Sequence, residues 1–320
     1  MVVLISGVTI RDGRAPLHGG GIDNEGDLTL RNSLVANSRA GSGDIAGDGG
    51  GIYNEGHLTL VNSRVTGNHA GNGGGIENSA GASIRIRHGR ITRNLASPVG
   101  TGEPFPYGSG GGIVNAGTLT LVQSTVGGNT ARGRFSTGAS GGGIRNVGKA
   151  TVVASQVTTN SVVAPTYGPH SGGGIDNSGR MGLKRTLVAH NTIGPGGVYA
   201  VGAGIANDGK LILNRSPIRA NTVAAAHAFG GGIANERTLI LINSPVSKNL
   251  ASGYGPAHGG GINNVGRLTL IGSLVTANIA QASIHVGGGG VFNDRPSGGR
   301  IVKRIDSPVR GNNPDNCRGC

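Results

Sequence analysis

The chain has 320 residues, 65 of them glycine, with no tryptophan and only 3% aromatic residues, so its core cannot be built on large rings and its glycine density disfavours helices. Lys and Arg outnumber Asp and Glu by 28 to 15, and the resulting formal charge of +13 suits anionic partners. No apolar run approaches the ~18 residues of a membrane-spanning helix, which excludes such a helix.

The first segment, Ile5-Ser6-Gly7-Val8-Thr9-Ile10-Arg11-Asp12, reads as the tail of a repeat, with Asp12 in a slot that asparagine fills later. Residues 1–18 are therefore expected to form a partial first coil. Met1–Ile5 is too short for the core of a signal peptide and lacks a basic n-region.

From Gly19 a glycine triplet, an aliphatic residue, a variable residue and an asparagine recur ten times. The aliphatic anchors are Ile22, Ile52, Ile76, Ile113, Ile144, Ile175, Ile205, Ile233, Ile262 and Val291, separated by 24 to 37 residues. One triplet carries Ala203 in its middle. No triplet is followed by Lys-Ser/Thr, so these are corners of the backbone and not phosphate loops. Each unit continues into a short alternating run such as Leu58-Thr59-Leu60, and then Ser63, Val65 and Asn68. The second asparagine is assigned to Asn37, Asn68, Asn94, Asn129, Asn160, Asn191, Asn221, Asn249, Asn278 and Asn312. A Ser or Thr precedes it in every unit but the third, which has Gly89.

Period-2 alternation of Leu, Val, Ile and Thr argues for strands. A repeat of this length argues for a solenoid whose coils cannot bury a core singly but can do so when stacked. The expectation is an all-β, single-domain parallel β-helix over residues 1–320, of ten to eleven coils with three strands each. At about 4.8 Å per coil the rod is on the order of 50 Å long. The Ile22 and Leu28/Leu30 columns point inward, and the Asn24 and Asn37 columns form ladders. Near the end Lys303 replaces the inward Leu270, and residues 313–320 form a polar tail. That tail holds Cys317 and Cys320, a terminal disulfide or two free thiols; a lone Cys-x-x-Cys cannot complete a zinc site.

Between the second asparagine and the next triplet lies the variable segment. Seven of the nine Phe and Tyr rings fall there, with six of the nine histidines. Insertions at one coil position stack on one face, often the binding face. Tyr107, Phe135, Tyr167, His170, Tyr199, Phe229, Tyr254 and His258 are the candidate glycan face, where rings stack on sugars. The alternative is that the rings pack the loops onto the rod. Arg132 and Arg134 nearby favour an acidic chain. Eight acids flank the first asparagine: Asp23, Glu25, Glu55, Glu77, Asp176, Asp208, Glu236 and Asp294. They form either a calcium ladder or a solvated rim, and no cofactor is the expectation. Arg85, Arg87, Arg90 and Arg93 cluster in the third unit, and Arg300, Lys303, Arg304 and Arg310 in the last. Neither cluster is interleaved with aromatics, so specific nucleic-acid binding is not expected. No paired acids mark a hydrolase: Asp44 and Asp48 lack a partner base, and Asp306 stands beside Lys303 and Arg304.

Gly-Gly-Gly-Ile-x-Asn followed by Leu-Thr-Leu-x-x-Ser-x-Val-x-x-Asn resembles the repeats of bacterial polymorphic-outer-membrane-protein-like, right-handed parallel β-helix proteins. Those carry Gly-Gly-Ala-Ile and Phe-x-x-Asn tetrapeptides. The resemblance covers residues 5 to 316 and departs in having Gly for Ala and no Phe before the second asparagine. It implies a right-handed, pectin-lyase-like β-helix, a location outside the cell or on its surface, and adhesion or an unknown role; the expected partner, a polysaccharide or cell-wall polymer, rests on the candidate ring face. It brings no catalytic residues. A polysaccharide lyase or glycoside hydrolase is the alternative. An ice-binding face would need an unbroken threonine column, which Arg85, Gly182, Ile212, Ile240 and Val302 interrupt.

Overall fold

The computed structural model describes residues 2–42, 45–97, 108–134, 138–163 and 168–320. Among these residues there are strands and turns and no helix. The strands stack in parallel, pairing with their equivalents in neighbouring coils as a β-solenoid, except that Ile45–Ala46 folds back antiparallel on Arg39–Ser42. Four sheets contain eleven strands each and a further one contains seven. In chain order through one coil, the first sheet holds the Leu-Thr-Leu strand (Asp27–Arg31) and the second the strand after the serine (Leu34–Ala36). The third begins after the second corner (Arg39–Ser42), and the fifth is the triplet strand (Ile22–Asn24, Ile52–Asn54). The fourth, shorter sheet runs from Gly108–Ser109 to Val286–Gly287. Among the described residues the variable segment contributes one or two strands, so the expected three strands per coil become four or five.

Register holds because each strand turns one face inward. Leu30, Leu60, Ile86, Leu121, Val152, Leu183, Leu213, Leu241 and Leu270 are at most 1% exposed. With the Ile52 and Val65 columns they form one continuous core along the rod. In the last coil a bulge shifts the register after Leu268: Lys303 lies opposite Thr269, and Arg304, not Lys303, stands at the Leu270 place. The Arg304 guanidinium turns away and donates to the Ser307 carbonyl at 2.8 Å. Residues 313–320 are not a free tail: Cys317–Arg318 pairs with Val291–Phe292 as the last strand of the fifth sheet. Cys317 and Cys320 are joined as a disulfide, their Cα atoms 5.9 Å apart.

Buried polar groups must be paired, and here the repeat pairs them with itself. Asn24, Asn54, Asn78, Asn115, Asn146, Asn177, Asn207, Asn235, Asn264 and Asn293 each donate from Nδ2 to the next Oδ1, at 2.6–2.8 Å, as far as the last member. In the second ladder the Asn94 Oδ1 accepts from both the backbone N–H and the side-chain amide of Asn68, each at 3.0 Å, while Asn68 Nδ2 also donates to the Val35 carbonyl. The expected assignment of this ladder fails in the first full unit. Ser38, not Asn37, donates its N–H to Asn68 Oδ1 at 2.9 Å. Asn37 sits one residue early, at the corner with φ 53°, and Asp12 does the same with φ 59°. The serine column is a third ladder, as in Ser124 N–H to Ser155 Oγ at 3.0 Å.

The triplet glycines have three separate reasons. Gly49 has φ +64°, which L side chains rarely adopt. A Cβ on Gly50 would lie 2.5 Å from the Gly74 carbonyl oxygen of the next coil, and one on Gly51 would lie 2.8 Å from the Asn68 amide nitrogen.

Candidate functional site

In the longer coils the third and fourth sheets face each other and enclose a second, narrow core. It consists mainly of alanine: Ala131, Ala139, Ala200, Ala225, Ala228, Ala251 and Ala257, with Val162, Ile193 and Val223. Small side chains let two backbones approach closely, which makes this lobe a thin fin on the main rod. His170 lies inside it, 1% exposed, in register with Ala139 and Ala200. Gly197 makes room for its ring, since a Cβ there would collide with it.

Alternation then puts Tyr199, Phe229 and His258 on the outer face of the fourth sheet. Tyr199 and Phe229 are tilted rings 5.0 Å apart, and Phe229 meets His258 edge-on at 5.4 Å. His258 stacks on Phe292 at 4.1 Å with 13° between planes. Four rings from successive coils thus form one row. Phe292, from the fifth sheet, was not among the candidates. The small Ala206 and Ala234, in register with each other in the same sheet, leave room for rings beside them. Burial, more than the nearby Arg318, pushes the His258 imidazole down, so it is neutral at pH 7. Burial, together with Glu236 and Asp294, pushes the Tyr199 hydroxyl up.

Tyr254 stands apart from the row, at the tip of the fin, and is 82% exposed. It lines a groove of about 690 Å³ with Pro195, Val198, Ala225, Ser252 and Gln281, crossing four coils. Tyr107, Phe135 and Tyr167 lie outside the described residues, as does Asp44. Of the eight candidates, then, three gather in the ring row, one lies in the tip groove and one is inside the fin.

Phe229, His258 and Phe292 are one end of a longer face built from two adjacent columns, with Tyr199 two residues before Val201 of the first column. One column is the residue before each triplet: His18, Asp48, Asn72, Ser109, Ser140, Ser171, Val201, Phe229 and His258, paired in sequence along the rod. The other is the variable residue of the triplet strand: Asp23, Tyr53, Glu77, Val114, Arg145, Asp176, Ala206, Ala234, Asn263 and Phe292. The far end of this face is polar. His18 stacks on Tyr53 at 4.4 Å, its Nδ1 is 3.6 Å from Asp48 Oδ2, and Asn72 donates to Asp48 Oδ1 at 3.0 Å. Glu77 lies beside them with Oε2 buried and without a hydrogen-bond partner. Burial, and secondarily Asp48, pushes its carboxyl up to about 8, against the pull of Arg145. In the middle, Arg145 donates to Asp176 at 3.2 Å and to Ser140. Burial still raises the Asp176 carboxyl, outweighing Arg145.

From sequence alone Asp48 pairs with Asp44 in a loop without a partner base, and Glu77 belongs to the acids of a calcium ladder or a solvated rim. The signal that finds them is positional: the residues immediately before the triplet and two after its end share one face in every coil. Among the described residues, no three of His, Cys, Asp and Glu converge as a metal site. Along the second column the acids Asp23, Glu77 and Asp176 are separated by Tyr53, Val114 and Arg145. No helix among the described residues is long and apolar enough to cross a membrane. No family model, no curated protein and no solved structure matches the chain.

Proposed function

We propose that the protein is a secreted or cell-surface β-helix of the right-handed, pectin-lyase-like kind that binds polysaccharide along its fin and does no chemistry on it. The observation that carries this reading is the row Tyr199–Phe229–His258–Phe292, in which rings from successive coils present a partly exposed, periodic strip. Sugar rings stack on such surfaces, each contact contributing about 0.5–1.5 kcal/mol. An extended chain crossing several coils gains avidity without a deep pocket. Glu236 and Asp294 beside Tyr199 favour a neutral chain at this row over the acidic one that Arg132 and Arg134 suggested. Affinity electrophoresis in gels containing β-glucan, xylan or mannan tests the reading. Retardation by one of them, abolished in Tyr199→Ala/Phe229→Ala with unchanged melting, supports it. No retardation by any neutral glycan, or equal retardation of the variant, overturns it.

A second reading, hydrolysis, is favoured by one juxtaposition: Glu77, whose carboxyl burial pushes up to about 8, stands near the carboxyl of Asp48. One acid and one base are what glycoside hydrolysis requires. Release of reducing sugar by the native protein, absent in Glu77→Gln, would replace the binding reading with this one.

A further inference from the structure

The basic residues that cluster in the sequence stay together only in part in the fold. Arg85 and Arg87 go to the first sheet, Arg90 to the second, and Arg93 to the corner that follows, with φ 56°. What the fold brings to Arg90 is Arg64, its in-register neighbour one coil earlier. Two guanidinium-bearing residues thus stack at the strand spacing of about 4.8 Å, where like charges directly opposite are destabilising. All three arginines are exposed. The ion pairs among the described residues are Arg11–Asp12, His18–Asp48 and Arg145–Asp176, so no carboxylate there compensates Arg64, Arg90 or Arg93.

These arginines border a groove of about 550 Å³ across five coils, from Leu34 to Thr158, whose floor carries hydroxyls: Thr66, Thr92, Thr125 and Thr158. Thr92 Oγ1 donates to Thr66 Oγ1 at 3.2 Å, which leaves the Thr66 hydroxyl hydrogen free to turn outward. Gly127, in register between Thr92 and Thr158, adds no side chain and deepens the floor at that point. Guanidinium forks over hydroxyl donors match a tetrahedral oxyanion, which accepts several hydrogen bonds at once.

We propose that this groove binds the sulfate or phosphate ester groups of an anionic polysaccharide, with Arg64, Arg90 and Arg93 as the charged contacts and the threonine hydroxyls as the floor. The site lies on the second sheet, in earlier coils than the ring row, and does not depend on it. The sulfate and phosphate forms share the chemistry, and the experiment separates them.

Binding of dextran sulfate, phosphorylated dextran and unmodified dextran is measured by titration calorimetry at ~0.15 M salt. The expected result is binding of one or both esters and not of dextran, weakened at least tenfold in Arg64→Gln/Arg90→Gln. The control Lys149→Gln/Arg180→Gln removes the same charge from the first sheet and is expected to lose less than twofold. The arginine variant is expected to fold at least as well as the native protein, because it relieves repulsion between in-register like charges, and its melting is followed alongside. Tyr199→Ala/Phe229→Ala is expected to bind the esters normally even if the ring row binds nothing. Equal losses in the two charge variants, or no binding of either ester, overturn the proposal: the first would mean attraction to net charge alone.

Discussion

Ile86 and Gly89 are matched to each other: a Cβ on Gly89 would collide with Ile86 Cγ2. Among the ten full units Gly89 is the one member of the serine column without a hydroxyl, and the Cγ2 methyl of β-branched Ile86 occupies the space a serine would need. The column is broken there, so the Ser63 N–H lacks the serine hydroxyl that Ser33 and Gly89 itself find one coil further on, at 3.1 Å each.

Gly89→Ser alone is therefore expected to destabilise by about 1–3 kcal/mol through overpacking. Adding Ile86→Leu, the residue found at the Leu60 and Leu121 places, removes the branch and lets the new hydroxyl accept from Ser63, a gain of about 0.5–1.5 kcal/mol. Urea unfolding of the two singles and the double measures the coupling. Additive effects would mean that the two residues are not matched.

Ser38 reaches Asn68 through its backbone N–H alone, while its Oγ accepts from the Gly13 N–H at 3.2 Å. In Ser38→Asn the new amide is expected to donate to Asn68 Oδ1, as Asn68 does to Asn94, and to raise stability by about 1 kcal/mol. The neighbouring Gly21 leaves the space that Gly51 leaves for Asn68: a Cβ on Gly21 would lie 3.1 Å from Ser38 Oγ. A fall in melting temperature would show that the first full coil cannot take the ladder geometry.

Two corners of each coil hold a left-handed residue that is often not glycine, among them Ala154 at φ 48°, Ala220 at 53° and Ala277 at 54°. Left-handed backbone costs an L-residue roughly 1–2 kcal/mol. Ala220→Gly is expected to stabilise by up to about 1 kcal/mol, opposite in sign to the same change inside a strand, because relief of this strain exceeds the added freedom of the unfolded chain. Val223→Gly, buried in a strand, is the contrasting control and should destabilise. Chemical denaturation reads both signs.

The solenoid was legible because its signals are periodic: inward aliphatics, two asparagine columns and the triplet all recur at coil spacing. Register at single residues was less legible. Asn37 beside Ser38 shows why: asparagine suits both a ladder slot and a left-handed corner, and only the count from Ser33 separates them. The fin was hidden because its core is alanine, which carries no strand signature, and because its strands differ in length from coil to coil. The ring row was half legible. Tyr199, Phe229 and His258 were found by composition, but Phe292 comes from a different part of the repeat. Asp48 and Glu77 were missed as a pair because they lie 29 residues apart, near each other only once coils are stacked.

Glu77 makes stability depend on pH in a direction unusual for a carboxylate. Its folded value is raised to about 8 from an ordinary 4.5, chiefly by burial. Between those values the folded protein holds a proton that the unfolded chain has released, so folding is favoured by protons. Stability contributed by this group is fully present below about pH 4.5, falls as pH rises toward 8, and is lost above it. Glu77→Gln mimics the protonated form at every pH. It is therefore expected to melt near the native temperature at pH 5 and clearly above it at pH 8.5, where the native protein must either bury a charge or open the site. Asp176, also raised by burial, is unchanged in both proteins and cancels in the comparison. Thermal unfolding of both proteins across this range measures the difference. A gap between native and variant that does not widen with pH would mean that Glu77 is ionised and solvated in the folded state.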